Sequence, residues 1–152
     1  MEQGLATHRT MGAELVQPYY LAMLAETYGK TGQIEAGVRV VAEALTKTDT
    51  HGERWWEAEL YRLQGEFLLR VTCGIQHATE AEACFRQALD IAHRQHAKSW
   101  ELRAAMSLSR LWQRQGKHDD ARQLLAEIYG WFTEGFDTAD LQEARALLEA
   151  LG

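Results

Sequence analysis

The chain has 152 residues, of which 46% are hydrophobic and 25% are charged, and this composition excludes both a disordered chain and a membrane-embedded one. Its formal net charge of −6 argues against a general affinity for nucleic-acid phosphates or anionic lipid. The first residues have no basic and apolar leader, and no apolar run is long enough to span a membrane, so we expect one domain in a cytoplasmic protein.

Apolar residues recur at spacings of three and four along nearly the whole chain, which contains one proline, and this pattern predicts an all-α fold. Clusters of glycine and polar residues separate the periodic segments. Pro18 suits a first helical turn, so the second helix is expected to begin near Gln17. Asp137 is expected to cap the last helix. The predicted helices span residues 2–9, 14–30, 34–48, 53–71, 78–96, 99–115, 118–132 and 138–151.

Three segments repeat a pattern of a small residue, a bulky residue and a closing pair of packing residues. The positions are Gly37, Val41, Ala44 and Leu45, then Ala81, Phe85, Ala88 and Leu89, then Ala121, Leu125, Ile128 and Tyr129. A second set lies in the preceding helices, at Leu21, Leu24, Ala25 and Tyr28, then Tyr61, Gln64, Gly65 and Leu68, then Ala105, Leu108, Ser109 and Trp112. The offsets are 44 then 40 in the first set and 40 then 44 in the second. About four extra residues therefore lie in the second unit, and we predict them in a loop at residues 74–77.

These positions resemble the tetratricopeptide repeat (TPR), and Gly32 and Gly116 match its turn between helices. The repeat is longer than usual and lacks the closing proline. The stretches YYLAMLAETYGKTGQ, GERWWEAELYRLQGE and AEACFRQALDIAHRQ are similar to the long-repeat C-terminal regions of bacterial signalling ATPases, including those fused to adenylate or guanylate cyclase domains. The stretch GWFTEGFDTADLQEARALLE shares this similarity.

The resemblance implies a TPR-like right-handed superhelix of antiparallel helix pairs, with about three and a half repeats and a C-terminal capping helix. It implies a single domain over residues 1–152 that is a fragment of a larger protein. Its parts are the second helix of a truncated repeat at 1–12, repeats at 13–50, 51–96 and 97–133, and the capping helix at 137–151.

In the TPR pattern the first helix of each unit lines a concave groove, and the resemblance assigns the groove residues of this chain. They are Tyr19, Glu26 and Lys30, then Glu59, Arg62, Glu66 and Arg70, then Arg103, Met106, Arg110, Gln113 and Arg114. The last group is basic within an acidic chain. Arginine pairs bidentately with carboxylates, so we hypothesise that this end receives an acidic peptide or an acidic patch of another domain. A solvated helix face is an equal alternative.

Two adjacent tryptophans, Trp55 and Trp56, lie about 100° apart on a helix and cannot share one face. Trp56 falls on an apolar stripe with Leu60, and the repeat offset relates it to Trp100, so we expect it in the core or between repeats. Trp55 has no aromatic counterpart and is the better candidate for an exposed ring, although partial burial against the neighbouring repeat is slightly favoured.

The sequence offers no site for catalysis, a cofactor or a metal. The GKT at residues 29–31 lacks the first glycine of a phosphate loop and is expected to be a helix-ending turn. His77, His93, His96 and Cys73 match no common zinc spacing. Cys73 and Cys84 are too few for a disulfide framework, and we expect two free thiols, Cys84 as a small buried residue.

The leading functional hypothesis is a non-catalytic protein-interaction module, the sensory or regulatory arm of a larger bacterial signalling protein. An alternative is a homo-oligomeric scaffold that stacks through an uncapped N-terminal end, where Leu5, Met11 and Leu15 supply apolar surface. A third is a helical-repeat nucleic-acid binder, which the net acidity and the confinement of the basic stripe to one unit disfavour. We expect no membrane partner and no nucleotide hydrolysis.

Overall fold

A computed structural model describes residues 17–51, 56–71 and 75–152 of the chain. The described residues form seven α-helices and no strand, so the all-α prediction is confirmed. The helices are α1 (Gln17–Lys30), α2 (Ile34–His51), α3 (Glu57–Val71), α4 (Ile75–Arg94), α5 (Lys98–Arg114), α6 (His118–Tyr129) and α7 (Ala139–Leu151).

Each helix packs against the next one in the chain, from α1 through to α7. Alternate helices also pack against each other, but only the odd-numbered ones do so substantially: α1 packs on α3, α3 on α5, and α5 on α7. Within the described part of the chain, packing between helices that lie further apart in the sequence is at most marginal. The helices therefore stack in chain order, and α1, α3, α5 and α7 form one continuous wall.

Three of the connections are the same three-residue turn, at residues 31–33, 95–97 and 115–117. In each, the last residue of the turn donates its backbone N–H to the carbonyl five residues back, as Lys117 does to Trp112 at 2.8 Å. The middle residue of each turn has a left-handed backbone, with φ of 79° at Gly32, 56° at His96 and 80° at Gly116. A left-handed residue after the last helical turn is the common C-terminal cap, in which glycine is the usual residue, and it pairs carbonyls that the helix leaves without a donor.

The bulky residues of the three repeating segments are buried to the same degree. Val41, Phe85 and Leu125 are each buried to 2% exposure or less. The small residues of the pattern lie where another helix approaches closely: a Cβ at Gly37 would lie 2.5 Å from Cζ of Phe67, and a Cβ at Gly65 would lie 2.5 Å from Cε1 of Phe85. Small residues allow helices to pack at short distance around a bulky neighbour.

The four extra residues of the second unit do not form the predicted loop at 74–77, because α4 begins at Ile75. α3 ends six residues after Gly65, whereas α1 and α5 end five residues after the related Ala25 and Ser109. α4 begins ten residues before Phe85, whereas α2 and α6 begin seven residues before the related Val41 and Leu125. The side chain of Gln76 donates to Glu80 at 3.3 Å in this early turn, a local bond of the kind that supports helix beginnings. The extra residues thus lengthen helices.

Other predicted boundaries also shift. The described part of α1 starts at Gln17, and the residues before it lie outside the described residues. α2 continues to His51, α6 ends at Tyr129 instead of Phe132, and Gly130 follows it. The N-cap of α7 is Thr138 rather than Asp137, and it makes no side-chain capping bond. The helix predicted at 2–9, Trp55 and Cys73 lie outside the described residues.

Among the helices that the structure describes, none is long and apolar enough to cross a membrane.

Candidate partner-binding face

The wall of odd-numbered helices carries the residues that the sequence assigned to a groove. α1 carries Glu26 and Lys30, and α3 carries Glu59, Arg62, Glu66 and Arg70. The arginines Arg103, Arg110 and Arg114 lie on α5. Contacts between these helices join several of the predicted side chains directly. We call this surface the odd-helix face.

Arg103 is the residue that connects this face across helices. One of its guanidinium nitrogens lies 2.9 Å from Glu59 Oε1 on α3, and another lies 3.4 Å from Glu26 Oε1 on α1. Its Nε lies 4.0 Å from Asp140 Oδ1 on α7. A single arginine thus contacts carboxylates from three different helices, and its fork of donors suits this role.

Glu59 and Arg62 form the buried centre of the network. Arg62 donates from Nε to Glu59 Oε2 at 3.0 Å and from a terminal nitrogen to Oε1 at 2.6 Å, a bidentate pair. Burial opposes ionisation of Arg62, but the hydrogen bond to Glu59 and the charges of Glu59, Glu66 and Glu26 outweigh it, so the pKa of Arg62 is raised above its ordinary value. Glu59 is 3% exposed and Arg62 is 12% exposed, so both act as structural charges more than as contact surface.

The basic end of the face, on the last turns of α5, is more accessible. Arg110 is 44% exposed, and its guanidinium lies 3.4 Å from Glu143 on α7, which is itself 59% exposed. Arg114 is exposed and makes no ion pair within the described residues. Gln113 is half-buried, whereas Met106 is buried at 3% exposure and belongs to the core. Arg110 and Arg114 are therefore the most exposed arginines of the predicted groove on α5.

The opposite end of the face is held by local contacts. Lys30 is highly exposed and lies 3.7 Å from Glu26. Arg70 donates to the carbonyl of Gly29 at 2.8 Å, so it ties α3 to the end of α1. Glu66 is partly exposed and lies 3.8 Å from Arg62. Tyr19 belongs to α1, but its side chain lies outside the described residues.

Sequence reasoning missed the acidic residues of α7. Asp140 and Glu143 reach Arg103 and Arg110 respectively, so α7 completes the odd-helix face in addition to covering the apolar end of the stack. The signal was present in the sequence, because the two carboxylates are three residues apart and therefore share one side of a helix. The resemblance implies only a capping role for α7, and this role gives no partner for either carboxylate.

Trp56 was expected in the core or between repeats, and it is half-buried against Trp100, its counterpart at the repeat offset, with ring centroids 4.8 Å apart. Tilted pairs at this distance are favourable. The two rings pack α3 and its preceding residue against α5. Trp56 also contacts the cluster of Leu21, Ala44 and Leu60, so the interpretation as packing residue is confirmed.

Three other features of the sequence were candidates for chemistry: the GKT segment at residues 29–31, the histidines and Cys84. Residues 29–31 close α1 and enter its left-handed turn. Among the described residues, no group of three or more histidine, cysteine or acidic side chains is placed to hold a metal. Cys84 is a free thiol that is only partly buried; its Sγ lies 3.6 Å from Gln64 Oε1. Burial and then the charge of Glu80 raise the pKa of Cys84, which disfavours the reactive thiolate.

Comparison with known proteins relates part of this chain to a segment of a much longer protein. No family model matches the chain. Over 110 residues the chain is 34% identical to an uncharacterized protein of Rhizobium meliloti (strain 1021). The match covers 72% of this chain but 10% of the relative, so the chain spans about a tenth of the length of that protein.

Proposed function

We propose that the chain is a non-catalytic protein-interaction module, a TPR-like right-handed superhelix that presents the odd-helix face as its concave surface. In this proposal it is the regulatory arm of a larger cytoplasmic bacterial signalling protein. The single observation that carries the proposal is the continuous wall of α1, α3, α5 and α7, across which Arg103 contacts carboxylates from the other three helices.

Two further features support this arrangement. The helices stack in chain order and the packing positions repeat with matched burial, as in solenoids whose repeats contact only their neighbours. The matched segment is a small part of a much longer Rhizobium protein, which suits a module that operates within a larger chain.

The proposed ligand is an acidic segment of a partner protein that binds at Arg110 and Arg114. Arg114 has no carboxylate partner within the described residues, and Arg110 shares only a long, exposed contact with Glu143. Exposed pairs of this kind contribute about 0.2–1 kcal/mol. A ligand carboxylate that binds bidentately can therefore displace Glu143 at little cost.

A glutamate-rich peptide with a fluorescent label tests this proposal by anisotropy at low and high salt. Arg110→Glu/Arg114→Glu should weaken binding by about tenfold or more and leave the melting temperature nearly unchanged, since both side chains are exposed. Arg122→Glu on α6, an exposed arginine outside the odd-helix face, is the matched control and should bind as the parent does. Equal binding by the double variant would contradict the proposal.

Self-association is the second candidate, and one observation favours it. The first described hairpin exposes large apolar side chains: Tyr20, Met23 and Val38 are 37%, 44% and 41% exposed. Such surface can be buried by stacking on another copy. Light scattering over a concentration series should then show a mass that rises with concentration, and Met23→Glu should suppress the rise. A constant monomer mass rules this candidate out. Leu5, Met11 and Leu15 lie outside the described residues.

A further inference from the structure

A cleft of about 620 Å³ lies at the other end of α5 from Arg110 and Arg114. It is enclosed by the first turn of α5, the connection between α6 and α7, and the first turn of α7. Its volume falls within the range of small-ligand and side-chain pockets. Asp140 lines it and also contacts Arg103, so the cleft is continuous with the odd-helix face.

The base of the cleft is apolar. Leu102 and Leu141 form its base and are 1% and 4% exposed, and Phe132 is partly buried beside them. Trp131 stands at its edge and is 58% exposed, the largest value among the bulky apolar side chains of the described residues. An exposed tryptophan beside a pocket is a feature of binding sites, because it contributes large contact area at small entropic cost.

The charges of the cleft have one sign. Glu134 and Asp140 are among its lining residues, whereas no lysine, arginine or histidine is. Glu134 makes no ion pair within the described residues, and Asp140 has only the 4.0 Å contact with Arg103. The two cations beside the cleft have closer carboxylate partners elsewhere: Arg103 pairs with Glu59 at 2.9 Å and Lys98 pairs with Glu101 at 3.0 Å.

Lys98 also shows that Trp131 accepts a cation. Its ammonium lies 5.5 Å from the centroid of the Trp131 ring, within the distance of a cation–π contact. Lys98 of the same chain already occupies this ring, so the charge preference of the cleft comes from its two carboxylates, Glu134 and Asp140.

We propose that this cleft binds a segment of a partner protein in which a bulky apolar side chain stands next to a lysine or arginine. The apolar side chain packs against Leu102, Phe132 and Leu141, and the cation lies beside Asp140 and Glu134. The acidic lining repels a carboxylate-bearing segment, so the ligand differs in charge from the one that Arg110 and Arg114 attract. The cleft is a second contact site, and it does not depend on the role proposed for those arginines.

The test uses three short peptides, blocked at both ends, that contain Leu-Arg, Leu-Gln or Leu-Glu between alanines. The full chain is labelled with ¹⁵N, and the indole N–H signal of Trp131 is identified by its loss in Trp131→Phe. We expect the Leu-Arg peptide to shift this signal and to bind about fivefold more tightly than the Leu-Gln peptide, with Leu-Glu weakest, as two exposed charge pairs predict.

Glu134→Gln/Asp140→Asn keeps the shape of the cleft and removes its charge, so it should make the three peptides bind equally. Glu149→Gln, which removes one exposed carboxylate further along α7, is the control and should keep the preference. Unchanged Trp56 and Trp100 signals show that each variant is folded. Absence of a Trp131 shift with every peptide, or equal binding of Leu-Glu and Leu-Arg to the parent chain, overturns the proposal.

The outcome is separable from that of the acidic-partner proposal. Arg110→Glu/Arg114→Glu should leave the preference for Leu-Arg in place, because both arginines lie 11 or more residues along α5 from Ser99 at the cleft, about 16 Å or more by helix rise. Loss of the preference in that variant would contradict an independent cleft.

Discussion

Phe85 lies so close to Gly65 that a Cβ atom at position 65 would be 2.5 Å from its Cε1. The other units hold a different combination at the related positions: Ala25 with Val41, and Ser109 with Leu125. The largest bulky residue thus faces the smallest partner. A larger residue at one position of the pair is therefore matched by a smaller residue at the other, as close packing requires.

Gly65→Ala is therefore expected to lower the free energy of unfolding by up to about 2 kcal/mol. Overpacking costs about 1–3 kcal/mol, and the gain in helix propensity of about 1 kcal/mol offsets part of it. Urea denaturation followed by circular dichroism measures the change. Gly29→Ala is the control, because the nearest atom to its Cβ would be 3.3 Å away, and it should be close to neutral.

Gly65→Ala is next combined with Phe85→Leu, which places at position 85 the residue type of Leu125, its counterpart in the third unit. The double variant should lose less stability than the sum of the single changes, with a coupling of about 1 kcal/mol, because the smaller side chain makes room for the new methyl group. Strict additivity would show that the two positions do not share one packing contact.

His96 occupies the turn position that glycine holds at Gly32 and Gly116, with φ of 56°. A left-handed backbone costs an L-residue about 1 kcal/mol more than glycine. His96→Gly should therefore raise the free energy of unfolding by about 0.5–1 kcal/mol, read as an increase in melting temperature. The change in side chain should matter little, since His96 is exposed.

Gly116→Ala tests the same turn from the other direction. No atom lies within 4 Å of a Cβ at this position, so any effect comes from the backbone alone. We expect a loss of about 1 kcal/mol. A neutral result for both variants would indicate that these turns tolerate a backbone other than the left-handed one.

Glu59→Gln should destabilise the chain by about 2–3 kcal/mol, because Glu59 is buried and bonds both Arg62 and Arg103. Glu66→Gln changes the same chemical group at a more exposed position, 3.8 Å from Arg62, and should cost less than about 0.5 kcal/mol. Chemical denaturation with urea measures both. Similar losses for the two variants would contradict the buried network.

Cys84 should react more slowly with iodoacetamide in the folded chain than in urea. Its pKa is raised by burial and then by Glu80, so less thiolate is present at a given pH. Because the folded-state pKa is the higher one, the folded chain holds this proton more tightly, and the resulting stabilisation is lost as pH rises through the folded pKa. The Cys73→Ser background leaves Cys84 as the single thiol, and equal rates would oppose the shift.

Periodicity was sufficient to predict the helices and their packing positions, since Val41, Phe85 and Leu125 are buried alike. It could not place the ends of α4 or α6, because helix ends depend on local bonds such as Gln76 to Glu80 and not on the apolar pattern. The pattern also gave no sign that His96 would hold a left-handed turn, a position where glycine is the usual signal.

The groove assignment located side chains that share a face but did not predict their partners. Whether Arg103 is available to a ligand depends on Glu26, Glu59 and Asp140, which come from three other helices. Such long-range pairs have no spacing rule in the sequence. The cleft beside Trp131 was missed for a similar reason, because residues of α5 and α7 form it together with the connection between α6 and α7.

The way the second unit accommodates its additional residues has a consequence for how this architecture can be altered. The additional residues lie at the end of α3 and the start of α4, and the interior packing positions of both helices keep the register of the other units. Inserting a reporter or a spacer between these two helices should therefore leave the geometry of the stack unchanged.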